Sequence, residues 1–193
     1  MLNIVLFGPP GSGKGTQADL IVQKKQLTHI STGDVFRKNI SQQTNLGKLA
    51  ENYIQKGQLV PDDLTINLLA NELDSYSDSN GYIFDGFPRT LPQAQAFSKL
   101  LEKKEMNLSF IISLEVSENE LVKRLLNRGL DSGRADDKNQ EVIRNRIQVY
   151  HNQTAMLKNF YLNKLKDSFF SIDGERTVNE ISEDIFNIFL RKK

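Results

Sequence analysis

Short apolar stretches alternate with longer amphipathic stretches along the whole chain. The short stretches are rich in β-branched and aromatic side chains, which is typical of buried strands, and they lie at 2–7, 28–31, 81–84, 109–116 and 169–172. The longer stretches carry apolar residues at helical spacing, which predicts helices at about 14–25, 33–42, 46–56, 61–74, 92–104, 117–128, 140–165 and 178–190. Such alternation predicts an α/β fold, in which a parallel five-stranded sheet carries helices on both faces.

A single domain accounts for the whole chain. Its 193 residues suit one domain that buries a substantial core. The sequence contains no internal repeat, no low-complexity segment and no linker long enough to separate two domains. With 38% apolar and 25% charged residues, the composition is typical of a globular protein rather than a disordered or fibrous one.

Charge and residue types exclude several classes of function. The 25 basic and 24 acidic residues give a net charge of +1, which argues against a broad nucleic-acid-binding surface. The chain has no cysteine and 2 histidines, which excludes disulfides, thiolate metal sites, a cysteine nucleophile and a histidine-rich metal centre. No apolar run approaches the roughly 20 residues that span a bilayer. Because no leader segment precedes the first strand, we expect a cytoplasmic protein without membrane attachment.

The most specific local motif follows the first strand and opens the first helix, where residues 8–16 read GPPGSGKGT. Glycines let the backbone curl so that several N–H groups face one anion, and the helix N-terminus adds partial positive charge. This motif predicts a phosphate-binding loop, with Lys14 directed at the outer phosphates. Gly15 stands where the general motif has Ser or Thr, so Thr16 is expected to contact a phosphate or the Mg²⁺ shell rather than ligate the ion tightly.

Arginines are scarce and concentrated near the motifs. The chain has nine arginines among its 25 basic residues, and arginine binds phosphate oxygens with a planar fork that lysine lacks. A single arginine is most often a solvated surface charge, but a shared location at element ends and in loops favours phosphate binding. Six arginines share that location: Arg37, Arg89, Arg124, Arg128, Arg134 and Arg146.

Three acidic residues have two interpretations each. Asp85 ends a buried strand and either orients Mg²⁺ or its waters, or caps the next helix; its pairing with the phosphate loop favours the metal. Asp136 and Asp137 either hold arginines or cap the next helix, and the sequence does not separate these roles.

Five further stretches share the chain with the phosphate loop: Ser31–Asp34, Gly57–Pro61, Asp85–Arg89, Arg124–Gly129 and Ser132–Asp137. Together they resemble the adenylate kinases, within the nucleoside monophosphate kinases, and the resemblance covers nearly the whole chain. It implies a P-loop three-layer sandwich with two small mobile inserts. The core would comprise 1–30, 61–128 and 138–193, the monophosphate-binding insert 31–60, and the lid 129–137. Such a short lid without cysteine resembles the short-lid form, so no structural zinc is expected.

The resemblance also implies a reaction, Mg-ATP + AMP ⇌ 2 ADP, and a monomer whose partners are ATP, AMP and ADP. No general base is needed, because the attacking AMP phosphate is mostly dianionic near pH 7, with a second pKa of about 6. The protein would align the two nucleotides, neutralise charge and exclude water as the inserts close.

Roles of individual residues follow from the resemblance. It implies that transfer depends on Lys14, Arg89, Arg128, Arg134 and Arg146, with Arg144 as an alternative to Arg146. It implies that ATP binds to Gly11, Ser12, Gly13, Lys14, Gly15, Thr16, Arg124, Arg128 and Arg176, the last through its backbone. It implies that AMP binds to Thr32, Arg37, Gln58, Leu59, Val60, Gly86, Phe87, Pro88, Arg89, Gln93, Arg134 and Arg146. Mg²⁺ would be held by Asp85 through water, with Thr16 as a second candidate.

Two residues favour AMP over other acceptors. The Gln93 amide both donates and accepts, which matches adenine N1 and N6, and Thr32 stands where UMP/CMP kinases usually have alanine. A UMP/CMP kinase and a non-catalytic nucleotide-binding protein remain the alternatives, although the second could have lost the arginines that are present here. A GTPase switch is disfavoured, since 163–166 read NKLK and lack the guanine-reading aspartate.

Overall fold

Five parallel strands form one sheet in the computed structural model, which describes residues 1–76 and 78–190. The strand order is β2-β3-β1-β4-β5, and every paired strand is parallel to its neighbour. The strands are β1 (Leu2–Phe7), β2 (Thr28–Ser31), β3 (Gly81–Asp85), β4 (Phe110–Glu115) and β5 (Phe169–Asp173). The predicted strands and their parallel arrangement are confirmed; Ser77 and the last three residues of the predicted core segment 138–193 lie outside the described residues.

Helices connect the strands as the apolar spacing predicted. They are α1 (Lys14–Lys25), α2 (Thr32–Ser41), α3 (Asn45–Ile54), α4 (Asp62–Ser75), α5 (Leu91–Lys103), α6 (Glu118–Asp131), α7 (Gln140–Val149), α8 (Leu157–Lys164) and α9 (Val178–Leu190). In the described part of the chain, none of them is long and apolar enough to cross a membrane.

The prediction of one continuous helix over 140–165 is wrong. A π-helical turn (Tyr150–Thr154) and a short turn separate α7 from α8. The wider turn holds Thr154 in the interior, where its hydroxyl donates to the carbonyl oxygen of Arg89 at 2.8 Å. Apolar periodicity could not reveal this break, because helical spacing of apolar side chains continues on both sides of it.

The sheet lies between two layers of helices because successive strand side chains point to opposite faces. On one face, Val5, Phe84 and Ile111 pack with residues of α4, α5 and α8. On the other face, Ile4 and Ile112 pack with residues of α1 and α9. These are the three layers that the resemblance implied.

The segment predicted as the monophosphate-binding insert, 31–60, contains α2 and α3 and packs through its own small apolar cluster. The two helices approach closely at Gly47, where a Cβ atom would lie 2.1 Å from the carbonyl oxygen of Asn39. The segment predicted as the lid, 129–137, starts within the last turn of α6 and ends in a single 3₁₀ turn, Ala135–Asp137.

Candidate active site

The carboxyl ends of the strands open into a cavity of about 750 Å³, where parallel α/β sheets usually bind ligands. Every residue that the sequence analysis assigned to ATP, AMP or Mg²⁺ lines this cavity. Arg144 does not: its side chain is 61% exposed and faces Glu118 at 3.9 Å.

The phosphate loop takes backbone conformations that favour glycine. Gly8, Gly11 and Gly13 have φ of 143°, 86° and 95°, and a Cβ on Gly8 would lie 2.5 Å from Ser12 Oγ. Helix α1 starts at Lys14 without a side-chain cap, so its first N–H groups remain available to an anion. The loop therefore has the backbone of a phosphate site.

Lys14 lies across this loop. Its ammonium donates to the carbonyl oxygens of Gly8 at 2.8 Å and Pro9 at 2.9 Å. Removal from water, assisted by the nearby positive charges of Arg89 and Arg128, lowers the pKa of Lys14 to about 8, although Asp85 opposes the shift. A phosphate group bound to the loop would place a negative charge beside Lys14 and favour its protonated form.

Asp85 ends β3 beneath the loop, and His29 of the neighbouring strand lies against it. The distance from His29 Nε2 to Asp85 Oδ2 is 3.6 Å, an ion-pair distance at which the buried Nε2 has no hydrogen-bond partner among the described residues. Burial alone would raise the pKa of Asp85, but His29 and the charge of Lys14 lower it, so the carboxylate is ionised. Sequence analysis gave His29 no role. The structure brings His29 and Asp85 together because β2 and β3 are neighbouring strands whose ends lie side by side.

The oxygen donors near the loop fit Mg²⁺ that arrives with ATP. Asp85 offers a carboxylate that is 12% exposed, and Thr16 offers a hydroxyl at the start of α1. Mg²⁺ keeps several waters and binds proteins through one or two carboxylates plus substrate phosphates. Within residues 1–76 and 78–190, no group of three or more His, Cys, Asp or Glu side chains could hold a metal ion by itself.

Three of the arginines that line the cavity are Arg37, Arg89 and Arg134. Arg89 Nε donates to the carbonyl oxygen of Gly86 at 2.6 Å, and burial lowers the pKa of Arg89 to about 10. Arg37 and Arg134 both donate to Asp34 Oδ1, at 2.6 and 3.1 Å. Asp34 thus links the segment 31–60 to the segment 129–137. Sequence analysis quoted Asp34 only as part of a motif; its position three residues before Arg37 on a helix was the available signal.

Asp136 and Asp137 hold arginines rather than cap a helix. Asp137 is fully buried and accepts from Arg128 Nε at 2.6 Å and from Arg146 Nη1, while Asp136 contacts the same Arg146. The N-cap of α7 is Asn139, whose side chain accepts from the N–H of Glu141. The sequence left both roles open, and the structure shows that the two aspartates hold arginines.

Arg124 and Arg176 also line the cavity. Arg124 donates to Glu120 Oε1 and to the carbonyl oxygen of Gly174, both at 2.8 Å. Arg176 pairs with Asp184, which leaves the backbone of this loop facing the cavity. The contact of Arg124 with Gly174 and the pair of Arg176 with Asp184 attach the loop after β5 to α6 and α9, so the loop is fixed in place.

The two residues predicted to select adenine are both engaged by the protein. The Thr32 hydroxyl donates to the carbonyl oxygen of Gly86 at 3.0 Å. Gln93 accepts from the N–H of Arg89 at 2.8 Å and donates to Asp62 at 2.7 Å. Sequence analysis did not identify the contact between Asp62 and Gln93, because the two residues lie 31 positions apart on different helices.

Known proteins are similar to this chain over nearly its whole length. The family model described as adenylate kinase matches residues 6–166. The chain is 53% identical over 181 residues to the adenylate kinase of Parabacteroides distasonis, with 94% of each chain covered. It is 53% identical to that of Bacteroides thetaiotaomicron, with 96% of each covered. It is 49% identical to that of Flavobacterium psychrophilum, with 97% of this chain and 98% of the relative covered.

Proposed function

The chain belongs to the adenylate kinase family, and from this premise we propose that it transfers the terminal phosphoryl group of Mg-ATP reversibly to AMP, which gives two molecules of ADP. It is thus a transferase that binds nucleotides. In the transfer, the bond between the γ-phosphorus and its bridging oxygen breaks, and an AMP phosphate oxygen forms the new bond. ADP leaves with the bridging oxygen.

One observation carries this proposal: a single cavity contains a phosphate loop and, facing it, arginines from three separate segments. Lys14 belongs to the loop, Arg89 to the segment between β3 and α5, and Arg128 and Arg146 to α6 and α7. A protein that binds ATP without transferring a phosphoryl group needs only the loop. Two opposed anion sites in one cavity support a reaction between two phosphate-bearing substrates.

We assign the two sides as follows. ATP binds to the loop residues Gly11, Ser12, Gly13, Lys14, Gly15 and Thr16, with Arg124 against its base and the Arg176 backbone beside it. AMP binds to Thr32, Arg37, Gln58, Leu59, Val60, Gly86, Phe87, Pro88, Arg89 and Gln93.

Arg128, Arg134 and Arg146 neutralise the charge that spreads over the transferring group, together with Lys14 and Arg89. This arrangement needs no general base, since the AMP phosphate is already ionised near neutral pH. Mg²⁺ that arrives with ATP would supply further charge neutralisation, and Asp85 would hold it through water. Thr16 is a second candidate ligand.

The segments 31–60 and 129–137 act as mobile inserts on a core of 1–30, 61–128 and 138–193. Closure of the inserts excludes water, which would otherwise hydrolyse ATP. Asp34 supports this role, because its contact with Arg134 joins the two inserts across the cavity. We further propose that the protein is a cytoplasmic monomer that binds neither nucleic acid nor structural zinc.

Product analysis with Mg-ATP and, separately, AMP, CMP, UMP and GMP tests the function. We expect rapid ADP formation with AMP and its loss in Lys14→Ala and Arg89→Ala. Preferred use of CMP or UMP would make the protein a pyrimidine nucleotide kinase with the same fold. ATP binding without transfer to any acceptor would contradict the proposed reaction.

A further inference from the structure

Asp62 uses both carboxylate oxygens to hold residues of another helix. It is the first residue of α4, and Pro61 alone separates it from the segment 31–60. Its Oδ1 accepts from Gln93 Nε2 at 2.7 Å, and its Oδ2 accepts from the hydroxyl of Thr90 at 2.9 Å. Thr90 is also the N-cap of α5 and accepts from the N–H of Gln93. Asp62 does not itself line the cavity.

These contacts permit one orientation of the Gln93 amide. Its Oε1 accepts from the N–H of Arg89 at 2.8 Å, while its Nε2 donates to Asp62. A 180° rotation would place NH₂ against the N–H of Arg89 and a carbonyl oxygen against a carboxylate. Gln93 is 1% exposed, so no bulk water would compensate for either mismatch. The N–H of Arg89 and the carboxylate of Asp62 therefore favour the same orientation of the Gln93 amide.

A fixed amide distinguishes bases that a freely rotating amide cannot. After its two protein contacts, Gln93 retains one lone pair on Oε1 and one proton on Nε2. A 6-aminopurine offers a donor at position 6 and an acceptor at position 1, whereas a 6-oxopurine offers the reverse order. An amide that can rotate by 180° pairs with either order, but an amide held in one orientation pairs with only one.

We propose that Asp62 is a positioning residue that makes the acceptor site selective for 6-aminopurine over 6-oxopurine monophosphates, by fixing the orientation of Gln93. This inference rests on the proposed function, in which Gln93 faces the base of AMP. It adds a residue that contacts no substrate and determines which purine is accepted.

Asp63 provides a matched control. It occupies the same first turn of α4 and carries the same charge, but its side chain is exposed and makes no contact with Gln93. An aspartate in this turn also interacts favourably with the helix dipole. Asp63→Asn therefore reports the loss of a helix-terminal charge without the loss of the amide contact.

The test measures kcat/KM for AMP and for inosine monophosphate at saturating Mg-ATP, in wild type and in Asp62→Ala, Asp62→Asn and Asp63→Asn. Water that fills the space in Asp62→Ala both donates and accepts, so it does not replace the carboxylate, and the amide is then held from one side only, by the N–H of Arg89. We expect the AMP to inosine monophosphate ratio to fall about tenfold or more in Asp62→Ala. Asp62→Asn keeps an acceptor for Nε2 but its amide can also donate, so its ratio should lie between those of wild type and Asp62→Ala. Asp63→Asn should keep the whole ratio.

Three further measurements separate this inference from a folding defect and from the proposed function. The KM for ATP should not change in Asp62→Ala, and Asp62→Ser offers a second replacement that suits a helix start and likewise both donates and accepts. Gln93→Leu should lower the ratio more than any change at Asp62. An unchanged ratio in Asp62→Ala and Asp62→Ser with a lowered ratio in Gln93→Leu overturns the role of Asp62. An unchanged ratio in all three variants overturns the assignment of Gln93 to the base.

Discussion

The buried carboxylate of Asp137 joins Arg128 at the end of α6 to Arg146 in α7, and both arginines face the cavity. One fully buried anion thus holds two cations at the position where we place the transferring phosphoryl group. Without it, the two guanidinium groups would repel each other and turn towards solvent. The carboxylate therefore organises the catalytic arginines without contacting the substrate in the proposed reaction.

We expect Asp137→Asn to lower kcat/KM for AMP by at least about tenfold and the free energy of unfolding by about 2 kcal/mol, because it removes charge-assisted hydrogen bonds to two arginines. Steady-state kinetics and urea unfolding measure the two effects. Asp131→Asn makes the same charge change at an exposed position in α6 and should alter neither quantity appreciably. Equal behaviour of the two variants would exclude this role for Asp137.

The contribution of Asp137 to stability should depend on pH in one direction. Burial alone would raise its pKa, but Arg128 and Arg146 lower it below the ordinary 3.8. The stabilisation is therefore fully present above that value and is lost as pH falls through the lowered pKa. The difference in unfolding free energy between wild type and Asp137→Asn should stay constant from pH 7 to about 5 and shrink below 3.8. A difference that grows with acidification would contradict this assignment.

Arg146→Ala should lower kcat/KM by about 100-fold or more, because the side chain lines the cavity and, on the proposed assignment, neutralises developing charge. Arg144→Ala should change it less than about threefold, because Arg144 is a solvated residue on the outer side of the same helix. Steady-state kinetics with AMP compare the two variants. A larger loss in Arg144→Ala would reverse the assignment of the phosphate-binding arginine.

Mg-ATP should bind more weakly as pH rises past about 8. Free Lys14 has a pKa of about 8, and the phosphates of ATP raise this pKa in the complex. The complex therefore keeps a proton that the free protein has lost, and affinity falls with pH. Calorimetric titrations between about pH 7 and 9.5, well above the phosphate pKa of about 6, should show this fall together with proton uptake. Lys14→Arg, whose guanidinium does not titrate in this range, should bind with a flatter pH dependence.

Gly129→Ala should destabilise the protein although alanine favours helices. Gly129 lies in the last turn of α6, and a Cβ there would lie 2.5 Å from the carbonyl oxygen of Asp137. We expect a loss of about 1 to 3 kcal/mol in the free energy of unfolding, together with lower activity as Asp137 is displaced. Asn127→Ala, at an exposed position of the same helix, should be neutral or slightly stabilising in the same unfolding measurement.

The sequence was sufficient where one local pattern decides the structure. Buried strands are evident as short apolar runs, and their alternation with helices predicted the parallel sheet. The phosphate loop was evident because glycines, Lys14 and a helix start must follow one another directly. The arginines of the site could be predicted as a group, because they share a location at element ends.

Features that depend on distant partners were not accessible in this way. Asp62 and Gln93 are 31 residues apart, and nothing in the sequence near either residue indicates the other. At the break between α7 and α8, Thr154 donates a hydrogen bond to Arg89, 65 residues earlier. The two roles of Asp137 could not be separated either, since an aspartate before a helix is equally suited to a cap and to an ion pair.

The central position of β1 has a consequence for redesign. Strands β3 and β2 lie on one side of it, and strands β4 and β5 on the other. On the proposed assignment, residues up to α5 on the first side contact the acceptor base, and residues after β4 on the second side contact the donor base. The residues that recognise the acceptor base and those that recognise the donor base are thus encoded in consecutive, non-overlapping blocks of the gene. A chimera that exchanges only the first block should acquire a new acceptor while it continues to use ATP.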